Sequence, residues 1–362
     1  MRRACAGRLV ACLMVGIGAL EAVGVMAPGS LADKPLHQLF IALPQPIASP
    51  LKEALPQNAE AQCSYQLMSR NPDQVYCIKC PHQTFGLRVF NRTTYATRRG
   101  VYRASLAGAL GLGPEVIMSN PEVGFVLWKW LAGRVLKSPV TSDDVRALTQ
   151  QLRKVHQIPA QQRRYSRHTR IENRVHHRID ELMDMGSTVI NLKSLQKSVD
   201  RIVKNLEAGP DVMLHTDIHQ SHVLRTNRGI QLIDWGDSST GSPFDDLAAV
   251  SVFFGLTPAQ DRDMLTTYFD RPPSCMDGRQ LFLKKLLVML HYSLWQLRQA
   301  EKARGLLYQT RIKPYKMFSE WIQDQGAQTH FSGNPALSRH VALLGLKAYF
   351  EGISSEAYRQ KC

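Results

Sequence analysis

Two aspartates, Asp217 and Asp234, are the residues whose types and spacing best suit chemistry. Asp217 lies in the run Leu214-His215-Thr216-Asp217-Ile218-His219-Gln220-Ser221-His222-Val223-Leu224, and Asp234 in Gln231-Leu232-Ile233-Asp234-Trp235-Gly236-Asp237. A His-x-Asp motif followed by an Asp-x-Gly motif is an arrangement used for phosphoryl transfer. That reaction needs little covalent help from a protein. One carboxylate orients the attacking hydroxyl and accepts its proton, and a second holds the metal that bridges the phosphates. On this reading Asp217 is the catalytic base and Asp234 the metal ligand, and Gly236 lets the backbone turn sharply beyond it. His222 stands where the pattern has Asn, and a neutral imidazole ligates Mg²⁺ or Mn²⁺ but suits softer metals better. A zinc cluster of His215, Asp217, His219 and His222 is the competing reading. Alternation along a short loop aims those side chains in different directions, and no zinc motif has this arrangement.

The elements that must position these residues can be read on either side. Val223–Leu224 and Ile230–Ile233 flank Arg225 to Gly229, and as a hairpin they would bring the two aspartates to one end. Upstream, Gln74 to Ile78 and Thr84 to Phe90 read as strands about a turn at Lys79 to Gln83. A helix over Thr94 to Leu110 stops at the Gly111-Leu112-Gly113-Pro114 breaker. Pro114 to Met118 and Gly124 to Trp128 read as two further strands. From Thr141 the pattern turns helical: Ser142-Asp143-Asp144 supplies an N-cap ahead of Val145 to Val155. A second helix runs from about Ser194 to Ala208, and Leu281 to Ala303 has apolar residues at helical spacing. Tyr292, Trp295 and Tyr308 could cage an ammonium group. Leu283, Leu287, Leu290 and Leu294 form a stripe that Trp295 borders, however, so a helix core is the preferred reading there.

Three runs taken together, His215 to Leu224, Ile233 to Asp237 and Gly241-Ser242-Pro243-Phe244-Asp245-Asp246-Leu247-Ala248, resemble the signature of the aminoglycoside phosphotransferase/choline kinase-like family, nearest its choline/thiamine kinase branch. The resemblance implies an α+β, protein-kinase-like two-lobed fold with a small β-rich N-lobe and a larger helical C-lobe. Residues 1–32 would be a signal-like or anchor segment (or an over-extended start), 33–60 a Pro/Ala-rich lead-in, 61–132 the N-lobe and hinge, and 133–362 the C-lobe. It also implies ATP with Mg²⁺ or Mn²⁺, and transfer to the hydroxyl of a small molecule such as choline, ethanolamine, thiamine or an aminoglycoside. Leu87-Arg88-Val89 resembles the strand whose cation binds the phosphates. Val126 to Gly133 resembles the hinge, which puts Trp128 and Trp130 at the nucleotide. Asp246 would brace the catalytic loop from the start of a helix, with His215 supporting it, and Leu152 to His156 resembles the helix end that follows the hinge. Three departures stand out. His222 replaces the second metal-binding Asn, the loop Leu67 to Asp73 has no glycine, and Gly100 falls near the Glu that pairs with the strand cation. That last change leaves Arg88 with no evident partner. A catalytically degenerate relative that binds a nucleotide or a protein is therefore the alternative.

The 362 residues are 44% hydrophobic and 21% charged, which excludes wholesale disorder. A net charge of +15 suits an anionic partner: a nucleoside triphosphate, a nucleic acid or a membrane surface. The strongest basic run, Arg163 to Arg178, carries no nucleic-acid fold signature, so a solvated or docking face is preferred over nucleic-acid binding. At the start, Arg2, Arg3 and Arg8 precede the apolar run Leu9 to Leu20, and Ser30-Leu31-Ala32 offers a cleavage-like site. Glu21 interrupts any longer span. The need for ATP favours the cytoplasm, with membrane association through residues 1–32. Seven cysteines, an odd number without framework spacing, predict a reducing compartment and no disulfide scaffold. Cys77 and Cys80 read as structural rather than as a redox pair.

Overall fold

A computed structural model describes residues 33–69, 73–158, 170–303, 315–324, 335–360 and 362. The chain divides into two compact units, residues 1–136 with 221–238 and residues 137–220 with 239–362. The signal-like segment, residues 163–169 of the basic run, residues 70–72 of the glycine-free loop and Tyr308 lie outside the described residues.

The first unit is built on an antiparallel sheet. Its strands are β1 (Lys34–Pro35), β2 (Ser64–Ser69), β3 (Gln74–Lys79), β4 (Thr84–Val89), β5 (Val116–Asn120) and β6 (Phe125–Lys129), in the order β1-β2-β3-β4-β6-β5. The strands read from sequence are β3, β4, β5 and β6, each within two residues of its expected start. Residues 33–60, expected as a Pro/Ala-rich lead-in, form α1 (Leu36–Ala42), α2 (Gln45–Ala54) and α3 (Ala59–Gln62). Leu36, Leu39, Ile47 and Leu51 are buried with Ile78, Leu87 and Leu127 in one core. The prolines do not forbid these helices, although Pro50 lies inside α2. Pro44 caps α2 and Pro46 lies in its first turn, where a missing N–H leaves no bond unmade. The helix α4 (Tyr95–Ala109) starts at Thr94, whose hydroxyl accepts from the Thr97 N–H.

A second sheet in this unit pairs β7 (Gly133–Val135) with a hairpin. One strand, β8 (Val212–Leu214), lies in the other unit; the hairpin is β9 (Val223–Thr226) and β10 (Gly229–Leu232). The expected hairpin is present, turning at Gly229 with φ +92°. The Ile233 N–H donates to the His222 carbonyl at 3.0 Å, which extends the ladder to the residue before Asp234.

The second unit is helical. Its helices are α5 (Ser142–His156), α6 (Ile171–Asp184), α7 (Leu192–Val203), α8 (Pro243–Phe254), α9 (Pro258–Phe269), α10 (Cys275–Lys302), α11 (Phe318–Gln323) and α12 (Pro335–Ser354). The cap of α5 is Thr141 rather than the expected Ser-Asp-Asp run, in a reciprocal box with Asp144. Leu283, Leu287, Leu290 and Leu294 of α10 are buried, as the stripe predicts. Strand β11 (Ser239–Gly241) pairs antiparallel with β8 and leads into α8. No described helix is long and apolar enough to cross a membrane.

The expectation of no disulfide is overturned. Cys63 bonds Cys80 and Cys275 bonds Cys362, while Cys77 is buried and belongs to neither bridge. Spacing hid the first bridge because strand register creates it. Ser64 pairs with Lys79, so the residues just outside that pair, Cys63 and Cys80, face each other at 4.3 Å between Cα atoms.

Candidate active site

In the first unit a cation and a carboxylate meet at one cavity. Arg88 on β4 donates from NH1 to Asp234 Oδ1 at 3.3 Å, and Asp234 follows β10. Arg88 is also held by Asp73, with its Nε 2.9 Å and NH2 2.8 Å from Oδ2. The expectation that Arg88 has no partner is therefore corrected. Asp73 stands at the start of β3, and the register Val75↔Arg88 carries it alongside. Asn91 N–H donates to its other oxygen at 3.3 Å, and the Arg88 guanidinium lies over the Phe90 ring at 4.7 Å. The signal that could have found Asp73 is an acid just ahead of a strand antiparallel to the one carrying the cation.

Asp234 is a non-glycine residue in the left-handed region, with φ 60°. Such backbone is sparsely populated and costs about 1–3 kcal/mol where surrounding structure imposes it. Here the β10 ladder and the Trp235 indole N–H, which donates to the Leu232 carbonyl at 3.1 Å, fix the turn. His222 is buried, and its Nε2 lies 3.7 Å from Asp234 Oδ2. A carboxylate beside an imidazole fits a divalent ion, and the mixed oxygen–nitrogen set suits Mn²⁺ at least as well as Mg²⁺.

The cavity has a volume of about 100 Å³ and is lined by Arg88, Phe90, Trp128, Trp130, Asp234 and Trp235 together with aliphatic side chains. Trp128 lies directly over Gly86 on the neighbouring strand, where a Cβ would come within 2.2 Å of the indole. Only glycine leaves that ring its place. An apolar cavity with a few convergent charges is the usual form of a small-molecule site.

In the second unit the loop after β8 carries Asp217, whose side chain is 21% exposed. The Tyr292 hydroxyl donates to Asp217 Oδ1 at 3.3 Å, and His219 Nε2 lies 3.8 Å from Oδ2. The loop is held by Asp246, which lies in the first turn of α8 and is fully buried. The backbone N–H groups of His215 and Thr216 each donate to its carboxylate at 2.8 Å. His156, the last residue of α5, has Nε2 3.1 Å from the same carboxylate and Nδ1 2.8 Å from the Tyr268 hydroxyl. Burial raises the Tyr268 hydroxyl pKa, with the Asp246 charge acting the same way.

Beside this loop Lys284 bridges Glu172 and Asp245, each at 2.7 Å, inside the core. Burial pushes the Asp245 carboxyl up to about 6, against the pull of Lys284. A crevice of about 20 Å³ lies here, walled by Arg174, Thr216, Phe253, Val288, His291 and Tyr292. Sequence reasoning placed Arg174 in the basic run and gave His291 no role. Of the three aromatics weighed as a cage, Tyr292 lines this crevice and Trp295 does not.

Within the first unit, then, Arg88, Trp128, Trp130, His222 and Asp234 come together. Within the second, His215, Asp217 and Asp246 do so. A kinase-like α+β phosphotransferase is the class these features define. The chain belongs to the phosphotransferase enzyme family, whose model matches residues 86–279. No curated protein matches the chain. Among solved structures it is similar to a choline/ethanolamine kinase family protein from Mesorhizobium loti, with 18% identity, TM-score 0.57, and 82% of this chain and 98% of that one covered. It is also similar to choline kinase LicA from Streptococcus pneumoniae, at 17% identity, TM-score 0.57 and coverage of 84% and 100%. A third is spectinomycin phosphotransferase APH(9)-Ia, solved with ADP and spectinomycin, at 11% identity, TM-score 0.51 and coverage of 78% and 93%. LicA has also been solved with AMP.

Proposed function

We propose that the protein transfers the γ-phosphate of ATP to the hydroxyl of a small molecule. The observation that carries this reading is the meeting of Arg88 and Asp234 at the wall of the aromatic cavity. On this reading Arg88 orients the phosphates, and Trp128 and Trp130 flank the base. Asp234 and His222 hold the divalent ion, which neutralises charge on the phosphates. Asp217 accepts the proton of the attacking hydroxyl, and the Tyr292 hydrogen bond fixes the direction of its carboxylate. Asp246 holds the loop through two backbone N–H groups, and His215 supports it. The ADP and AMP seen in the spectinomycin enzyme and LicA support a nucleotide here. The two disulfides favour an oxidising compartment over the cytoplasm expected from the sequence.

The test is thermal stability with ATP–Mg²⁺ and ATP–Mn²⁺, beside Asp234→Ala. Metal-dependent stabilisation that the variant loses supports the reading, and no shift with either metal refutes it. His222 in place of Asn favours a second reading, a nucleotide-binding relative without turnover. That reading predicts the same thermal shift, with no phosphate transferred to any alcohol.

A further inference from the structure

We propose that Arg88 couples the metal to the nucleotide: its guanidinium withholds Asp234 from a free divalent ion and yields it to one that arrives with phosphates. This deepens the phosphotransferase reading and rests on it. Asp234 is the one carboxylate among the described residues that line the aromatic cavity, so a hard divalent ion there depends on it. Its two oxygens face different partners. His222 Nε2 lies 3.7 Å from Oδ2, and Arg88 Nη1 donates to Oδ1 at 3.3 Å. The oxygen turned away from the imidazole is thus already held by a cation.

The nitrogens of Arg88 are not held equally. Nε and Nη2 reach Asp73 Oδ2 at 2.9 and 2.8 Å, and the guanidinium lies over the Phe90 ring at 4.7 Å. Asp73 is fixed in turn, because the Asn91 N–H donates to its Oδ1 at 3.3 Å and the register Val75↔Arg88 keeps the strands alongside. One edge of the guanidinium is therefore pinned to the sheet by two short bonds. The Nη1 bond is longer than an ordinary N–H···O bond and joins a different element, the turn after β10. That turn has its own ties, with Asp234 at φ 60° and the Trp235 indole bonded to the Leu232 carbonyl. With both ends held, the partner of Nη1 can be exchanged without moving the backbone.

Charge decides when the exchange happens. One guanidinium between two carboxylates leaves a single negative charge. A divalent ion added to that set makes it net positive and places two cations against one carboxylate. The side chains of Arg88 and Asp234 are 14% and 10% exposed, so water screens that repulsion poorly. Phosphate oxygens remove both objections, since they accept from Nη1 in place of Asp234 and supply the missing negative charge. Metal and nucleotide therefore bind as a pair, and the coupling is reciprocal.

The experiment measures Mn²⁺ binding to the whole protein by electron paramagnetic resonance, without nucleotide, beside ADP binding in the presence of a chelator. Arg88→Gln should bind Mn²⁺ at least about tenfold more tightly than the unaltered protein, and metal-free ADP about 10–100-fold more weakly. One substitution then moves two affinities in opposite directions, which a general loss of structure does not do. Arg88→Lys keeps the charge and should leave Mn²⁺ binding weak. Arg88→Gln also strands the Asp73 carboxylate, so Arg88→Gln with Asp73→Asn is made as well, removing both charges together. The gain in Mn²⁺ affinity should persist in that pair and vanish when Asp234→Asn is added. Mn²⁺ affinity that does not rise in either variant, or a gain that survives Asp234→Asn, overturns the proposal. In the unaltered protein, Mn²⁺ should bind at least about tenfold more tightly with saturating ADP than without it, and equal affinities overturn the proposal whatever the variants do. Absence of any thermal shift with ATP and metal overturns the phosphotransferase reading beneath it. A shift without the gain in Mn²⁺ affinity overturns this inference alone.

Discussion

Replacing Asp246 with alanine tests the argument that one buried carboxylate sets the conformation of the candidate catalytic loop. The carboxylate receives two backbone N–H groups at 2.8 Å and faces His156 Nε2 at 3.1 Å, and its side chain is 1% exposed. Alanine strands both N–H donors in the interior, at about 1–3 kcal/mol each, and removes the partner of the His156 ring. Against this stands the relief of no longer burying a carboxylate. Removing one member of a buried, hydrogen-bonded set lowers stability by about 3–5 kcal/mol in general, and Asp246→Ala should fall there. Asp246→Asn is the sharper probe, because its shape is retained while one NH₂ group is turned toward a donor. Both should cost more than a surface substitution, which stays within about 0.5 kcal/mol. The assay is urea unfolding paired with amide hydrogen exchange at residues 215 and 216. Exchange there should accelerate at least about a hundredfold, since each 1.4 kcal/mol is a factor of ten. A stability change under about 1 kcal/mol, with exchange at those two amides unaltered, would refute the reasoning.

Asp217→Asn should reduce phosphate transfer at least about a hundredfold with stability within about 1 kcal/mol, since the carboxylate is partly exposed and asparagine keeps an oxygen for the Tyr292 hydroxyl. Retained transfer would remove Asp217 from the role of base. Asp73→Asn should weaken ATP binding several-fold by loosening Arg88, read by titration; an unchanged affinity would show that Asp234 alone orients the guanidinium. Peptide mapping without reduction should recover Cys63 linked to Cys80 and Cys275 linked to Cys362, and Cys63→Ser should cost about 3 kcal/mol from a loop of this length. Recovery of free thiols at those four positions from unreduced protein would contradict the pairing. The Asp245 carboxyl, pushed up to about 6, stays protonated in the folded chain over a range where the unfolded chain has lost its proton. Its contribution to stability therefore falls as pH rises from about 4 to 6, by up to about 3 kcal/mol. Asp245→Asn should remove that slope, and identical slopes in the two proteins would sink the assignment.

What the sequence revealed follows from how local each feature is. The hairpin β9–β10 was legible because apolar runs and Gly229 fall at the right separation, and α4 because Thr94 and Gly111 mark its ends. The Asp217 and Asp234 runs were legible for the same reason. Asp73 was not, because its partnership with Arg88 depends on the register of β3 against β4, a relation between strands. The Cys63–Cys80 bridge escaped notice on the same ground. Residues 33–60 were read as a loose lead-in because of their prolines, yet the decisive feature is that Leu36, Leu39, Ile47 and Leu51 find a sheet to cover.

Gly100 read as the loss of a glutamate, and the structure gives it a different sense. A Cβ at position 100 would lie 3.4 Å from the Cα of Gly236, in the turn that follows Asp234. That is an ordinary contact distance, so the site would accept a Cβ there. The charge of Arg88 is met instead by Asp73, from the sheet. Arg88 and Asp73 have side-chain exposures of 14% and 10%, so neither charge could stand alone without a penalty of several kcal/mol. The strand cation is thus tied to the start of β3 instead of to the helix. With Asp73 in that place, the absence of a glutamate at position 100 does not leave Arg88 unpaired.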